Sequence, residues 1–155
     1  MTHAARYPAT IGAMQRGFTL VELVVVLVIL TVVIALGVPR LRPTFDRIAT
    51  DGAARDLTTA IAVARAAAVL QGTRARLRIG VDSLRVDREG ALGWEPYARW
   101  AGPGAAGVAL EVTNPEIVFG PMGLGWGPAN TRVELRRGSQ LETVTTSRLG
   151  RVKRG

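Results

Sequence analysis

Residues 16–30 read RGFTLVELVVVLVIL, an apolar run preceded by Arg-Gly and carrying one carboxylate, Glu22, near its start. The run continues to Val38, and from Phe18 to Val38 only Thr19, Glu22 and Thr31 have polar side chains. A helix rising about 1.5 Å per residue covers about 30 Å over such a length, the thickness of a bilayer core. Residues 18–38 are therefore expected to form one transmembrane helix. Glu22 is what that helix has to explain. A charge at the centre of a spanning helix costs about 2.5–3.5 kcal/mol on insertion scales and less near an end, so a carboxylate there points to function.

Three readings of the N-terminus compete. A cleaved secretory signal would use Arg6 and Arg16 as its basic region and Ala35-Leu36-Gly37 as its cut site. The apolar run is too long for that, and signal cores carry no carboxylate. A plain single-pass anchor accounts for the length and leaves Glu22 idle. The third reading uses all the parts. The segment GFTLVEL, residues 17–23, resembles the processing site of type IV pilins and of the pseudopilins of type II secretion. The resemblance implies a leader of residues 1–17, removed by a prepilin peptidase that cuts after Gly17 and N-methylates Phe18. It also implies that Glu22 acts in assembly, pairing with the new α-amino group of an adjacent subunit. The chemistry agrees: a buried cation is tolerable only when paired and hydrogen-bonded, and Glu22 lies about one helical turn from Phe18. Pro39 stands where many members of that family have a helix-bending proline. Arginines flank the apolar run on both sides, so the positive-inside rule gives no orientation. The cell inner membrane and a periplasmic C-terminal domain are implied by the resemblance alone.

After the anchor, residues 39–72 read as an amphipathic continuation of the helix. Phe45, Ile48, Leu57, Ile61, Ala64 and Ala68 recur at mostly three- and four-residue spacing. Gly72 suits a C-cap, and Pro39 and Pro43 are expected to bend the junction without breaking it. Residues 73–155 then read as a β-rich domain. RARLRIGV (74–81) alternates arginines with apolar residues, and SLRVDRE (83–89) completes a possible hairpin. Residues 93–107 read as a Gly/Pro-rich loop, 108–112 and 116–120 as strands around Asn114-Pro115, and 120–130 as another loop. Residues 131–137 and 140–147 alternate around Gly138-Ser139. The expected fold class is α+β, a long N-terminal helix packed on a C-terminal antiparallel sheet domain. The closing segment, with Phe119, Pro121 and Gly123 in a turn and Gly150-Arg151 near the end, resembles the GspH/FimT family.

Composition limits the chemistry. The chain has 155 residues, no cysteine, one histidine (His3) and a formal charge of +8, carried by 19 arginines and Lys153. Once residues 1–17 are removed neither His nor Cys remains, which excludes Ser-His-Asp, Cys-His and His-ligated zinc sites. No Gly-x-x-x-x-Gly-Lys phosphate loop occurs either. The chain is expected to be no enzyme and to need no cofactor or metal. The resemblance implies a minor pseudopilin of type II secretion, with the prepilin peptidase, other pseudopilins and the inner membrane as partners. The alternative within the same family is a type IV pilus minor pilin that binds DNA through a basic tail. Here that tail would be Arg148, Arg151, Lys153 and Arg154. Trp94, Tyr97, Trp100 and Trp126 could stack bases, or anchor the loops that hold them.

Overall fold

The computed structural model describes residues 17–127 and 130–155. Residues 1–16 of the expected leader, with Arg6, Arg16 and His3, lie outside the described residues, as do Pro128 and Ala129 of the second expected loop. One helix, α1 (Leu20–Gln71), runs 52 residues and continues through both Pro39 and Pro43. The chain divides into two units at Pro39/Arg40.

In the first unit, Leu20–Val38 is 19 residues long and apolar enough to cross a membrane. Its polar groups are almost all accounted for. Thr19 precedes the helix and accepts a 3.1 Å hydrogen bond on its hydroxyl from the Glu22 N–H, which makes it an N-cap. The Thr31 hydroxyl donates to the Leu27 carbonyl at 2.7 Å, a bond that hides it from an apolar surrounding.

The second unit begins with the rest of α1. Its buried face is Thr50, Ala53, Ala54, Leu57, Ala60, Ile61, Ala64, Ala67 and Ala68, spaced by threes and ones as a helical stripe requires. Six of these nine are alanines, which let a helix sit close on a sheet. Phe45 and Ile48, expected on that stripe, are 60% and 63% exposed. The helix ends as anticipated at Gly72, whose φ of +63° is the left-handed conformation of a C-cap glycine.

Two antiparallel sheets follow. The first has the order β3-β2-β1-β5-β6, built from β1 (Ala75–Ile79), β2 (Ser83–Gly90), β3 (Gly93–Ala101), β5 (Glu116–Phe119) and the two-residue β6 (Gly125–Trp126). The second has the order β4-β7-β8-β9, from β4 (Ala109–Val112), β7 (Thr131–Arg137), β8 (Gln140–Thr146) and β9 (Val152–Arg154). Asn114-Pro115 is where the chain leaves the second sheet for the first. Leu77, Leu84, Val86, Ile117, Phe119, Val133, Leu135 and Val144 from both sheets form one core with the alanine stripe of α1.

Two expectations fail. Residues 93–101 are not loop but the edge strand β3. Pro96 is admissible there because an edge strand can leave one N–H side unpaired. A bulge also eases the fit: Val86 opposes Ala98 while Asp87 opposes Pro96, leaving Tyr97 as the extra residue. The closing residues, read from the sequence only as a basic tail, form a strand. β9 pairs with β8, and the ladder runs on to Gly155, which exchanges both backbone bonds with Thr143.

Candidate functional site

Gly17, Phe18 and Glu22 sit together at the start of α1, all exposed. A Cβ built on Gly17 meets nothing within 4 Å, so the fold itself does not call for glycine at this position. Glu22 is the third residue of the helix after its Thr19 cap, in the pattern Thr-x-x-Glu of a capping box. This pattern was legible in the sequence and was missed there. Thr19 and Thr31 are bonded within the helix, which leaves Glu22 as the polar side chain of the run with no partner among the described residues. A carboxylate in the first turn is favoured by the helix dipole, yet in an apolar surrounding it still needs a cation.

The four basic residues of the tail do not form one cluster. The strand period of two puts Lys153 and Arg154 of β9 on opposite faces of the second sheet, and Arg148 and Arg151 lie ahead of the strand. Arg154 opposes the buried Val144 and faces inward. Its guanidinium bonds Glu142 at 3.1 Å and also Asp51 of α1, so it ties the last strand to the helix. Glu142 and Asp51 together push the Arg154 guanidinium up from its ordinary value. The Arg154 hydrogen bond in turn holds the Asp51 carboxyl below its ordinary value. A second pair, Arg137 to Asp46 at 3.0 Å, fastens β7 to the same stretch of α1. Lys153 opposes Thr145 and lies on the outer face. It lines a shallow groove with Arg151, Asn130 and Ser147. Arg148 turns to the Gly127 carbonyl at 3.4 Å. Among the described residues, Arg148, Arg151 and Lys153 have no carboxylate partner.

The two glycine turns of the closing segment meet on one helix side chain. Gly123 and Gly150 have φ of +72° and +73°. Gly125 donates to the Arg148 carbonyl at 2.8 Å, joining the two turns. Arg65 of α1 reaches the Gly150 carbonyl at 3.5 Å, and a Cβ on Gly150 would lie 3.1 Å from the Gly123 oxygen and 3.3 Å from the Arg65 guanidinium. The resemblance motif is therefore a packing device that locks both turns to the helix.

The aromatic residues lie on strands, not in loops. Trp100 is packed against the core. Trp94 is covered by the Arg76 guanidinium, 4.5 Å from its ring centroid, and Trp126 carries Arg74 at 5.8 Å. Arg74 also bonds Glu89 and holds that carboxyl below its ordinary value. Two of the expected stacking platforms thus already hold a cation.

Comparison with known proteins agrees with this geometry at both ends. A model of the prokaryotic N-terminal methylation motif matches residues 12–38. The model of type II transport protein GspH matches residues 53–150. A pilin-like protein, PilA1 of Thermus thermophilus, is 29% identical over 154 aligned positions, covering 90% of this chain and 97% of the relative. The fold is similar to the type IV minor pilin FimU of Pseudomonas aeruginosa, with a TM-score of 0.59 and 19% identity over 72% of this chain and 91% of that one. It is also similar to the minor pseudopilin EpsH of the Vibrio cholerae type 2 secretion system, with a TM-score of 0.54 and 14% identity over 70% and 94% of the two chains.

Proposed function

The chain belongs to the type II transport protein GspH family, and from that membership we propose that it is a minor pseudopilin of a type II secretion pseudopilus. At the coarser level it is a minor pilin or pseudopilin of the type IV pilin superfamily, with one apolar N-terminal helix suited to a single-pass anchor. Its work in this reading is assembly, not catalysis. A prepilin peptidase removes residues 1–17 and methylates Phe18. The helix then holds the chain in the inner membrane with the second unit in the periplasm. On leaving the membrane for the filament, Glu22 meets the α-amino group of a neighbouring subunit, and that pairing sets axial register. The mature chain, lacking both His and Cys, offers no Ser-His or Cys-His pair.

The observation that carries the secretion reading over the DNA-binding one is the fate of Arg154. A DNA receptor of the expected kind would present its terminal cations together, whereas here one is spent between Glu142 and Asp51. The second reading, a type IV pilus minor pilin that binds DNA, is favoured by the outward cations Arg148, Arg151 and Lys153. Deleting the gene in its own host separates the two. Secretion substrates should accumulate in the periplasm while DNA uptake continues. Normal secretion with lost uptake would reverse the ranking.

A further inference from the structure

The outer face of the first sheet carries a feature that neither reading uses. Arg78 on β1 directly opposes Arg85 on β2, and Arg85 directly opposes Arg99 on β3. Three guanidinium groups therefore stand in one row across three strands, with adjacent strands about 4.8 Å apart. Like charges placed directly opposite one another destabilise a sheet, so the row opposes folding unless something outside compensates it. Inside the face little does. Arg78 reaches Asp87 at 2.9 Å, but that carboxylate, only 2% exposed, is shared with Arg76 at 3.0 Å. Glu116 at the far end of the row binds Arg76 at 3.6 Å. The Arg78 Nε is buried without a hydrogen-bond partner. Arg85 and Arg99 have no ion pair or side-chain hydrogen bond among the described residues. Grooves lie on both sides of Arg85, one reaching Ser83 and Glu116 and the other reaching Tyr97 and Arg99.

The geometry points to a docking surface for a carboxylate-bearing segment of another protein, seated across Arg78, Arg85 and Arg99. Carboxylate is the chemistry the face already uses, since Arg74 meets Glu89, Arg76 meets Asp87 and Glu116, and Arg78 shares Asp87. The planar guanidinium fork takes such a group through two parallel hydrogen bonds. A continuous polyphosphate crossing the row would run into Glu116, whereas separate carboxylates can sit between the fixed acids. A second copy of this chain is a poor occupant, because each carries a formal +8, and still +6 once Arg6 and Arg16 leave with residues 1–17. The partner is a different and acidic protein, and the surface is open to it in either a pilus or a pseudopilus.

The test uses the full chain in detergent and two fluorescent probes, a nine-residue peptide with glutamate at alternate positions and a single-stranded oligonucleotide of equal net charge. Anisotropy titrations compare wild type, R85Q/R99Q, and R132Q/K153Q on the outer face of the second sheet. Peptide affinity should fall about tenfold or more in R85Q/R99Q, as expected for loss of charge-assisted bonds, and stay within about twofold in R132Q/K153Q. Equal losses in both variants would reduce the effect to net charge and overturn the proposal. No peptide binding, or tighter oligonucleotide binding through the same two arginines, would overturn it as well. Melting provides a separate check: R85Q/R99Q should melt no lower than wild type, and a lower Tm would make the row a structural element instead.

Discussion

At Gly17 the fold offers no resistance to a side chain, since an added Cβ meets nothing within 4 Å. Gly17→Val is therefore expected to leave the structure intact and block processing, because the peptidase has to admit a residue without a side chain beside the scissile bond. Immunoblots of membranes should show only the longer precursor, and normal maturation of the variant would contradict this. Glu22 works differently. Thr19 caps the helix and Thr31 is bonded to Leu27, so Glu22 is the polar side chain of the run that still seeks a cation. Glu22→Leu makes the helix more apolar and removes the partner of a buried amine. The variant should enter the membrane as well as wild type and enter filaments poorly. Wild-type yield in filament cross-linking would count against the pairing.

The elements that fasten the domain are the last strand and the two glycine turns. Asp51 has a depressed pKa because Arg154 bonds its ionised form. A group lowered in the folded state stabilises at pH above its unfolded value, and that stability is lost as pH falls through the folded value. Asp51→Asn should accordingly melt below wild type at neutral pH, with the two curves converging on acidification. A gap that does not change with pH would contradict the ion pair. Gly150→Ala forces a Cβ into the left-handed region and against the Gly123 carbonyl, at a cost of about 1–2 kcal/mol from the backbone alone. Denaturant unfolding should show a loss at least that large. DNA binding by the full chain should be weak. With Arg154 engaged, neutralising Arg148, Arg151 and Lys153 can lower the salt slope by at most about 2.7 on duplex DNA, at about 0.9 per phosphate contact. Micromolar affinity at physiological salt, abolished by those three changes, would promote the pilus reading.

The same elements show what a single sequence discloses. The apolar helical run, the alanine-rich helix and its Gly72 end, and the hairpins around residues 80–82 and 138–139 were legible because each is coded by neighbouring residues. Strand β3 was not. Pro96 and its flanking glycines imitate a loop, and only pairing with β2 on one side makes an edge strand of them. Arg154 read as part of a basic tail because its partner Asp51 lies 103 positions away. Phe45 and Ile48 kept the helical period but fell off the buried face, since Thr50 and Ala53 begin the stripe that meets the sheets. The Arg78–Arg85–Arg99 row likewise exists only through strand register.

Taken whole, the molecule carries a membrane-length apolar segment, Leu20–Val38, and a β-rich domain whose last strand is fastened by Arg154 to Asp51 on that domain's own part of α1. In the proposed function such a chain leaves the membrane and packs against related subunits. The proposed function rests on a cut between Gly17 and Phe18 that would convert the precursor into a subunit. The direct test is the intact mass of the chain isolated from cells that contain a prepilin peptidase. The expected result is one species, residues 18–155 with a single methyl group on the Phe18 nitrogen. A chain retaining residues 1–17, or one that begins at Val38 after cleavage at Gly37, would contradict it.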